Sequence, residues 1–239
     1  MSIKKKRSLK ILTAFLCMAI VLLSGLAIRS FAALRYGQSK DIDMELSSLD
    51  VRLLENGKPS SDKKGVLLSG LDGSTLDPGY MYDETIAARN TVGQSEYVRV
   101  IVKKYWLDKN GSKLPDLDPS LIRLSYGGRA YNSDAWLINT GESTAEQSVY
   151  YLKKALTGKT DSPALFDRIG ADASIAGSYE MKESDDGRTV TAVYDYDGIR
   201  IGLDIEVQSI QYNHGDEAVT SAWGVTNVTV SNGSISISQ

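Results

Sequence analysis

The stretch from Arg188 to Gln208, RTVTAVYDYDGIRIGLDIEVQ, alternates apolar and polar residues on both sides of an Asp197-Gly198 pair, and this alternation restricts the fold more than any other feature. Asp-Gly is a preferred two-residue hairpin loop, because a type I′ turn needs positive φ at both central residues and glycine supplies it without steric cost. Folded on that loop, Tyr196 faces Ile199, Tyr194 faces Ile201, Ala192 faces Leu203 and Val190 faces Ile205. All eight then share one face. Thr189, Thr191, Asp195, Arg200, Asp204 and Glu206 fall on the other, as the two-residue period of a half-buried antiparallel sheet requires. A slip of one residue would bury the charges. A hairpin alone is marginal in water, so its apolar face demands a second layer.

Short strands elsewhere can supply that layer. Alternation and turn residues predict strands over Asp41–Leu46, Leu49–Leu54, Tyr80–Asn90, Glu96–Trp106, Leu121–Tyr126, Ala135–Ile138, Ser148–Leu152, Ala164–Ala171, Tyr179–Lys182 and Thr226–Val230, with a brief one at Val66–Leu68. Asn56-Gly57 closes the second of them. In the Glu96–Trp106 strand, Val98, Val100, Val102 and Trp106 form a β-branched and aromatic core face, while Tyr97, Arg99, Ile101, Lys103 and Tyr105 form a face expected to be partly wet. One helix is expected over Gly215–Gly224. Asp216 and Glu217 suit its N-terminus, Ala218, Val219, Ala222 and Trp223 give it an apolar stripe, and Gly224 can end it. It should pack as a plug on the sandwich, and Ser231–Gln239 should be a polar tail. The expected fold is all-β: an antiparallel jelly-roll-like β-sandwich with one short helix near the C-terminus.

The first 32 residues look like an address. Lys4, Lys5, Lys6, Arg7 and Lys10 precede the apolar run Ile11–Ile28, and Ser30-Phe31-Ala32 fits a signal-peptidase site with cleavage after Ala32. The rival reading is an uncleaved membrane anchor. The expected organisation is a signal peptide at 1–32, an N-terminal extension at 33–48 and a β-sandwich at 49–239, with membrane contact only through the leader before cleavage. The leader carries six of the 27 basic residues and no acid, which leaves 21 basic residues against 30 acidic ones, a net −9. Such a surface repels phosphate backbones, so nucleic acid is not an expected partner. The single cysteine, Cys17, lies in the leader, so the remaining chain has no thiol for a disulfide, a nucleophile or a metal site.

Reactive groups are few. The one histidine, His214, stands in a polar turn, with no HExxH pattern and no Gly-x-Ser-x-Gly elbow in the chain. Asp108-Lys109-Asn110-Gly111-Ser112 resembles the start of a calcium loop, but Pro119 stands where the twelfth-position glutamate belongs, and turn geometry accounts for its Asp, Asn and Gly. Tyr105, Trp106, Tyr126, Tyr131, Trp136, Tyr150 and Tyr151 could line a sugar-binding surface, although core and cross-strand packing explains them as well. The sequence therefore nominates no catalytic, cofactor-binding or metal-binding residue, and no cofactor.

Several runs, in order, are familiar: Leu76-Asp77-Pro78-Gly79, Tyr82–Asn90, Thr91-Val92-Gly93, Tyr97-Val98-Arg99-Val100 and Lys104-Tyr105-Trp106. They are followed by Asp118-Pro119-Ser120-Leu121-Ile122, Tyr150–Lys154, Pro163–Phe166, and Gln208 through Ala222-Trp223-Gly224. Over most of the chain after the leader, this pattern resembles the TasA/camelysin-type secreted proteins of Gram-positive bacteria. The resemblance implies export through a dedicated signal peptidase. It further implies a jelly-roll-like subunit of biofilm matrix fibres, joined by an N-terminal strand donated to the next subunit. Camelysin is described as a metalloprotease, an activity for which this sequence offers no zinc motif. Ala33-Leu34-Arg35-Tyr36 also stands where family members often show a Tyr-Phe-Thr-Asp-like segment.

The expected function is a secreted structural subunit of matrix or cell-surface fibres, not an enzyme, whose partners are copies of itself and other matrix or surface proteins. The alternatives are a secreted metal-dependent protease and a carbohydrate-binding or pilus-associated module. The candidate assembly residues are Ile42, Met44 and Leu46. They lie on the parity opposite to Leu49, Val51 and Leu53 across Ser47-Ser48, so their strand can act independently of the next. The competing expectation is that this strand pairs within its own sandwich.

Overall fold

The computed structural model describes residues 50–59, 64–66, 76–177, 179–183, 190–194, 196 and 198–238. All belong to the second of two compact units, Ser47–Gln239, and the first unit is Met1–Leu46. The strands are β1 (Val51–Glu55), β2 (Lys58–Pro59), β3 (Lys64–Val66), β4 (Met81–Asn90), β5 (Glu96–Leu107), β6 (Ile122–Ser125) and β7 (Trp136–Ile138). They continue with β8 (Gln147–Leu152), β9 (Phe166–Ala171), β10 (Tyr179–Glu183), β11 (Val190–Tyr194), β12 (Arg200–Gln211), β13 (Val228–Ser231) and β14 (Ser234–Ile237). A short helix, α1 (Gly215–Ala218), runs on into a π-helical turn, Val219–Trp223.

Two five-stranded antiparallel sheets make the sandwich, a front sheet ordered β2-β1-β4-β9-β6 and a back sheet ordered β3-β12-β5-β8-β7. The chain passes repeatedly from one to the other, giving the all-β, jelly-roll-like arrangement expected. Alternation explains the core between them. Ile86 and Ala88 of β4 meet Val98, Val100, Val102 and Trp106 of β5, with Trp136, Tyr150, Phe166, Ile169, Ile201, Leu203 and Ile205 completing one buried cluster.

The strands of the Arg188–Gln208 stretch form, and the inward face of β12 is the expected one, but they do not pair with each other. β11 pairs with β10, from Tyr179↔Tyr194 to Glu183↔Val190. β12 pairs along its whole length with β5, from Arg200↔Leu107 to Gln211↔Glu96. The ladder with β5 takes one edge of β12, and the other, which the hairpin would need, is held at Asp204–Glu206 by β3, so the local turn preference does not decide the pairing. Tyr196 and Ile199 still pack on the core, Tyr196 edge-on to Trp106 at 5.2 Å.

On the outer face of the back sheet the expected partial wetness holds at Lys103, which is exposed, but not at the other end, where Tyr97, Val149, Tyr151 and Ile210 are buried under Val219, Trp223, Val225, Val228 and Ile235. Nor is the C-terminus only a polar tail. Asn232 and Gly233, at φ 50° and 74°, make a type I′ turn that folds β14 onto β13, so that Ile235 reaches this second core. Together α1, the π turn and the β13–β14 hairpin form a cap. Within it Val219 and Trp223 are buried, whereas Ala222, assigned from the sequence to the apolar stripe, is exposed.

A polar network fixes the cap. Arg99 is 8% exposed; it donates from Nε to Gln208 Oε1 at 2.7 Å and from Nη1 to Glu142 at 3.3 Å, and its guanidinium lies 5.2 Å from the Trp223 ring centroid. The Tyr151 hydroxyl donates to Glu142 at 2.5 Å, and burial together with that carboxylate pushes its pKa up to about 12. Asn139 and Asn227 exchange amide hydrogen bonds of 3.2 and 3.0 Å between sheet and cap.

Candidate assembly edges

A sandwich can be extended only where main-chain N–H and C=O groups lack a neighbouring strand, so the candidate site is read from the ladders. In an antiparallel pair, alternate residues direct both groups at the partner and those between direct them away.

At the β6 end of the front sheet the edge is mostly closed. Asp172 N–H donates to the Leu121 carbonyl, so Ile122 and Leu124 turn their groups outward. The Ile122 N–H is taken by the Pro119 carbonyl, and the Ile122 carbonyl accepts Lys104 Nζ at 2.6 Å. Burial pushes the Lys104 amine below its ordinary pKa, the cost of placing an ammonium against an edge carbonyl. Tyr126 and Arg129 then exchange two main-chain bonds around Gly127-Gly128, leaving only Leu124 open among the described residues. β7, the edge of the back sheet on its β8 side, is three residues long and offers little more.

The β1–β12 flank differs. Bonds from Thr91 N–H to Asp50 O and from Asn56 N–H to Thr85 O direct the even-numbered residues of β1 at β4, so Val51 and Leu53 face away. On that side, among the described residues, β2 pairs with Leu54 and Glu55, turned by Asn56-Gly57 at φ 49° and 77°. On β5, Glu96 spends its main-chain groups on Leu156, so Tyr97 and Arg99 face β12, and Leu203, Ile205, Val207 and Ser209 turn outward. Among the described residues, β3 covers Asp204 to Glu206. β1 packs beside β12, so among the described residues two partly paired edges border one flank; residues 60–63 and 67–75, which adjoin β2 and β3, lie outside the described residues. Val51, Leu53 and Leu203 are buried, a setting in which main-chain groups need partners.

Glu96 bridges the two edges. Its side chain is fully buried, and Oε1 accepts the Asp50 N–H at 3.3 Å, at the point where the preceding segment joins β1. Oε2 has no partner. Burial raises its pKa above the ordinary carboxylate value, partly offset by the Ser209 hydroxyl and the Asp50 N–H. Nothing in the sequence separates this glutamate from other strand-end acids; only its inward parity beside Val98 and Val100 hinted at burial.

Comparisons with family models, with curated proteins and with solved structures find no match. Ala32, Ile42, Met44 and Leu46 lie outside the described residues. His214 is exposed in the turn before α1, at φ 57°, and makes no capping bond. The Asp108 carboxylate is occupied by its own loop, accepting from Asn110 N–H and Ser112 N–H at 2.8 and 2.7 Å. Among the described residues no group of three His, Cys, Asp or Glu side chains could hold a metal ion. Of the aromatics weighed for sugar binding, Trp106, Trp136, Tyr150 and Tyr151 are core residues, and Tyr105, Tyr126 and Tyr131 are half-buried.

Proposed function

We propose that this chain is a secreted structural protein, a subunit of extracellular-matrix or cell-surface fibres in which the Asp41–Leu46 strand of one copy completes the β1–β12 flank of the next. The observation that carries the reading is that flank, where two edges are only partly paired among the described residues, at the place where the preceding segment joins the sandwich. A donated strand gains affinity from main-chain bonds and specificity from alternate side chains, and Ile42, Met44 and Leu46 present the apolar alternation such a flank needs. Head-to-tail donation does not close on itself, so it propagates a filament. The TasA/camelysin resemblance supports the same reading.

The test is electron microscopy and sedimentation of the chain freed of its leader, beside a form lacking Ala33–Leu46 and a Met44→Asp variant. Donation predicts that the altered forms remain folded monomers and make no fibres. Undiminished fibres, or monomers that unfold because the strand belongs to their own sandwich, would each reject it.

A further inference from the structure

We infer that the hollow beside β6, at the end of the front sheet away from β1, docks a short extended peptide ending in a free carboxylate. The peptide's penultimate residue pairs with the main chain of Leu124, and its terminal carboxylate meets Arg123. The site is independent of strand insertion at the other flank. The hollow has a volume of about 340 Å³, and its walls, among them Met81, Arg123, Leu124, Arg129 and Asp172, all belong to the continuous stretch 76–177. Between Met81 and Arg123 in the register stands Gly170, which puts no side chain into the gap.

The ladder dictates the chemistry of the occupant. Leu124 directs its N–H and C=O away from β9, and neither has a partner among the described residues. On one side of it Ile122 is closed by the Pro119 carbonyl and Lys104 Nζ, and on the other Tyr126 is closed by Arg129. The opening is therefore one residue long. An amino-acid residue in extended form fills it, because its N–H and C=O point the same way from either side of one carbon. The lone amide of an N-acetyl sugar points its two groups in opposite directions and satisfies only one. In the antiparallel sense, the more stable of the two, the peptide's next residue lies opposite Arg123. The position beyond is Ile122, already closed, so a peptide that stops opposite Arg123 fits. Its carboxylate then stands beside an exposed guanidinium that spends one N–H on Asp172 at 2.7 Å and whose other donors have no partner among the described residues. The Lys104 ammonium at Ile122 adds a second positive charge at this end. The residue opposite Leu124 turns its side chain to the inner face, where Leu124 packs on the core, so an apolar side chain suits it.

The probe is the tripeptide acetyl-seryl-leucyl-serine with a free carboxylate, titrated into the chain freed of its leader and followed by NMR. Saturable shifts are expected at the Leu124 amide and its neighbours in β6. Amidation of the peptide's C-terminus should weaken binding about 10-fold, the effect of one charge-assisted hydrogen bond. Methylation of the leucine nitrogen, which removes the N–H offered to the Leu124 carbonyl, should weaken it several-fold, the effect of one neutral hydrogen bond. Arg123→Gln should match amidation while leaving the melting temperature unchanged, because the ion pair it breaks is exposed. The amidated peptide should be indifferent to Arg123→Gln, a coupling that a merely structural arginine would not show. Equal binding of the acid and the amide overturns the inference, and so does the absence of saturable shifts at Leu124. Glucuronic acid binding as tightly as the tripeptide is equally fatal, since a carboxylate would then suffice without the ladder. Amidation and methylation alter only the peptide, so they decide the matter even where Arg123→Gln does not fold. Fibre assembly is not read in any of these titrations, and their failure leaves strand insertion untouched.

Discussion

Replacing Trp223 with alanine tests whether the cap is bound to the back sheet by its own core. The indole is 7% exposed, sits edge-on to Tyr151 at 5.3 Å and lies beneath Arg99. An aromatic side chain buries roughly 150–250 Å², which at about 25 cal/mol per Å² gives an upper bound near 4–6 kcal/mol. Partial collapse of the cap into the vacancy reduces this, so the expected loss is about 3–5 kcal/mol, the range found for large aromatics cut to alanine. Because the back sheet separates the two cores, the cap should loosen first. Denaturant unfolding reads the loss, and limited proteolysis reads its place, with the earliest cuts expected between residues 211 and 238. Trp106→Ala, in the core between the sheets, should cost a similar amount without favouring cuts in the cap. A loss below about 1 kcal/mol for Trp223→Ala, or first cuts inside the sandwich, would refute the separation of the two cores.

Glu96 should make stability fall as pH rises. Its folded pKa is raised, so the benefit of the protonated form is full below the ordinary value of 4.5 and is lost as pH climbs through the folded value. Glu96→Gln should accordingly be the more stable chain at pH 7 and lose that advantage near pH 4, as thermal melts at both pH values would show. Gly170→Ala should cost about 1–3 kcal/mol by denaturant titration, because a Cβ there would press into the Tyr80 carbonyl oxygen and the Met81 sulfur. His214→Ala should alter stability by no more than about 0.5 kcal/mol and leave assembly unchanged, since the ring is exposed and makes no capping bond. A larger change in either readout would give that residue a role.

Strand positions and inward faces were legible wherever alternation is local. β4, β5, β8 and β9 fall within a few residues of their expected bounds, and Val98, Val100, Val102 and Trp106 share the expected core face. Partner choice was not legible. Asp197-Gly198 argues for a β11–β12 hairpin, while the pairing of β12 with β5 joins residues about a hundred positions apart, beyond the reach of any turn signal. The partly wet outer face was legible at Lys103, but the burial of Tyr97 was not, since its cover comes from Val219 onward. β14 could have been found: Ser234-Ile235-Ser236-Ile237 alternates directly after Asn232-Gly233, the same turn chemistry recognised at Asn56-Gly57. Of the candidate site, apolar alternation in Ile42, Met44 and Leu46 was visible, but the flank was not, because an unpaired edge is a property of the assembled ladders.

The cap also orders events during synthesis. The chain emerges from its N-terminus, so β5 and β8 are complete long before Trp223, Val228 and Ile235, the residues that shield Tyr97, Val149 and Tyr151. Until then the back sheet presents a sticky, two-sided apolar layer, the kind of surface that draws nascent chains into aggregates or onto chaperones. Ribosomes that stop before Trp223 would release chains with a complete inner core and a bare outer one. Such fragments should be insoluble although every strand of the sandwich is present, so the last stretch translated acts as the seal on everything made before it.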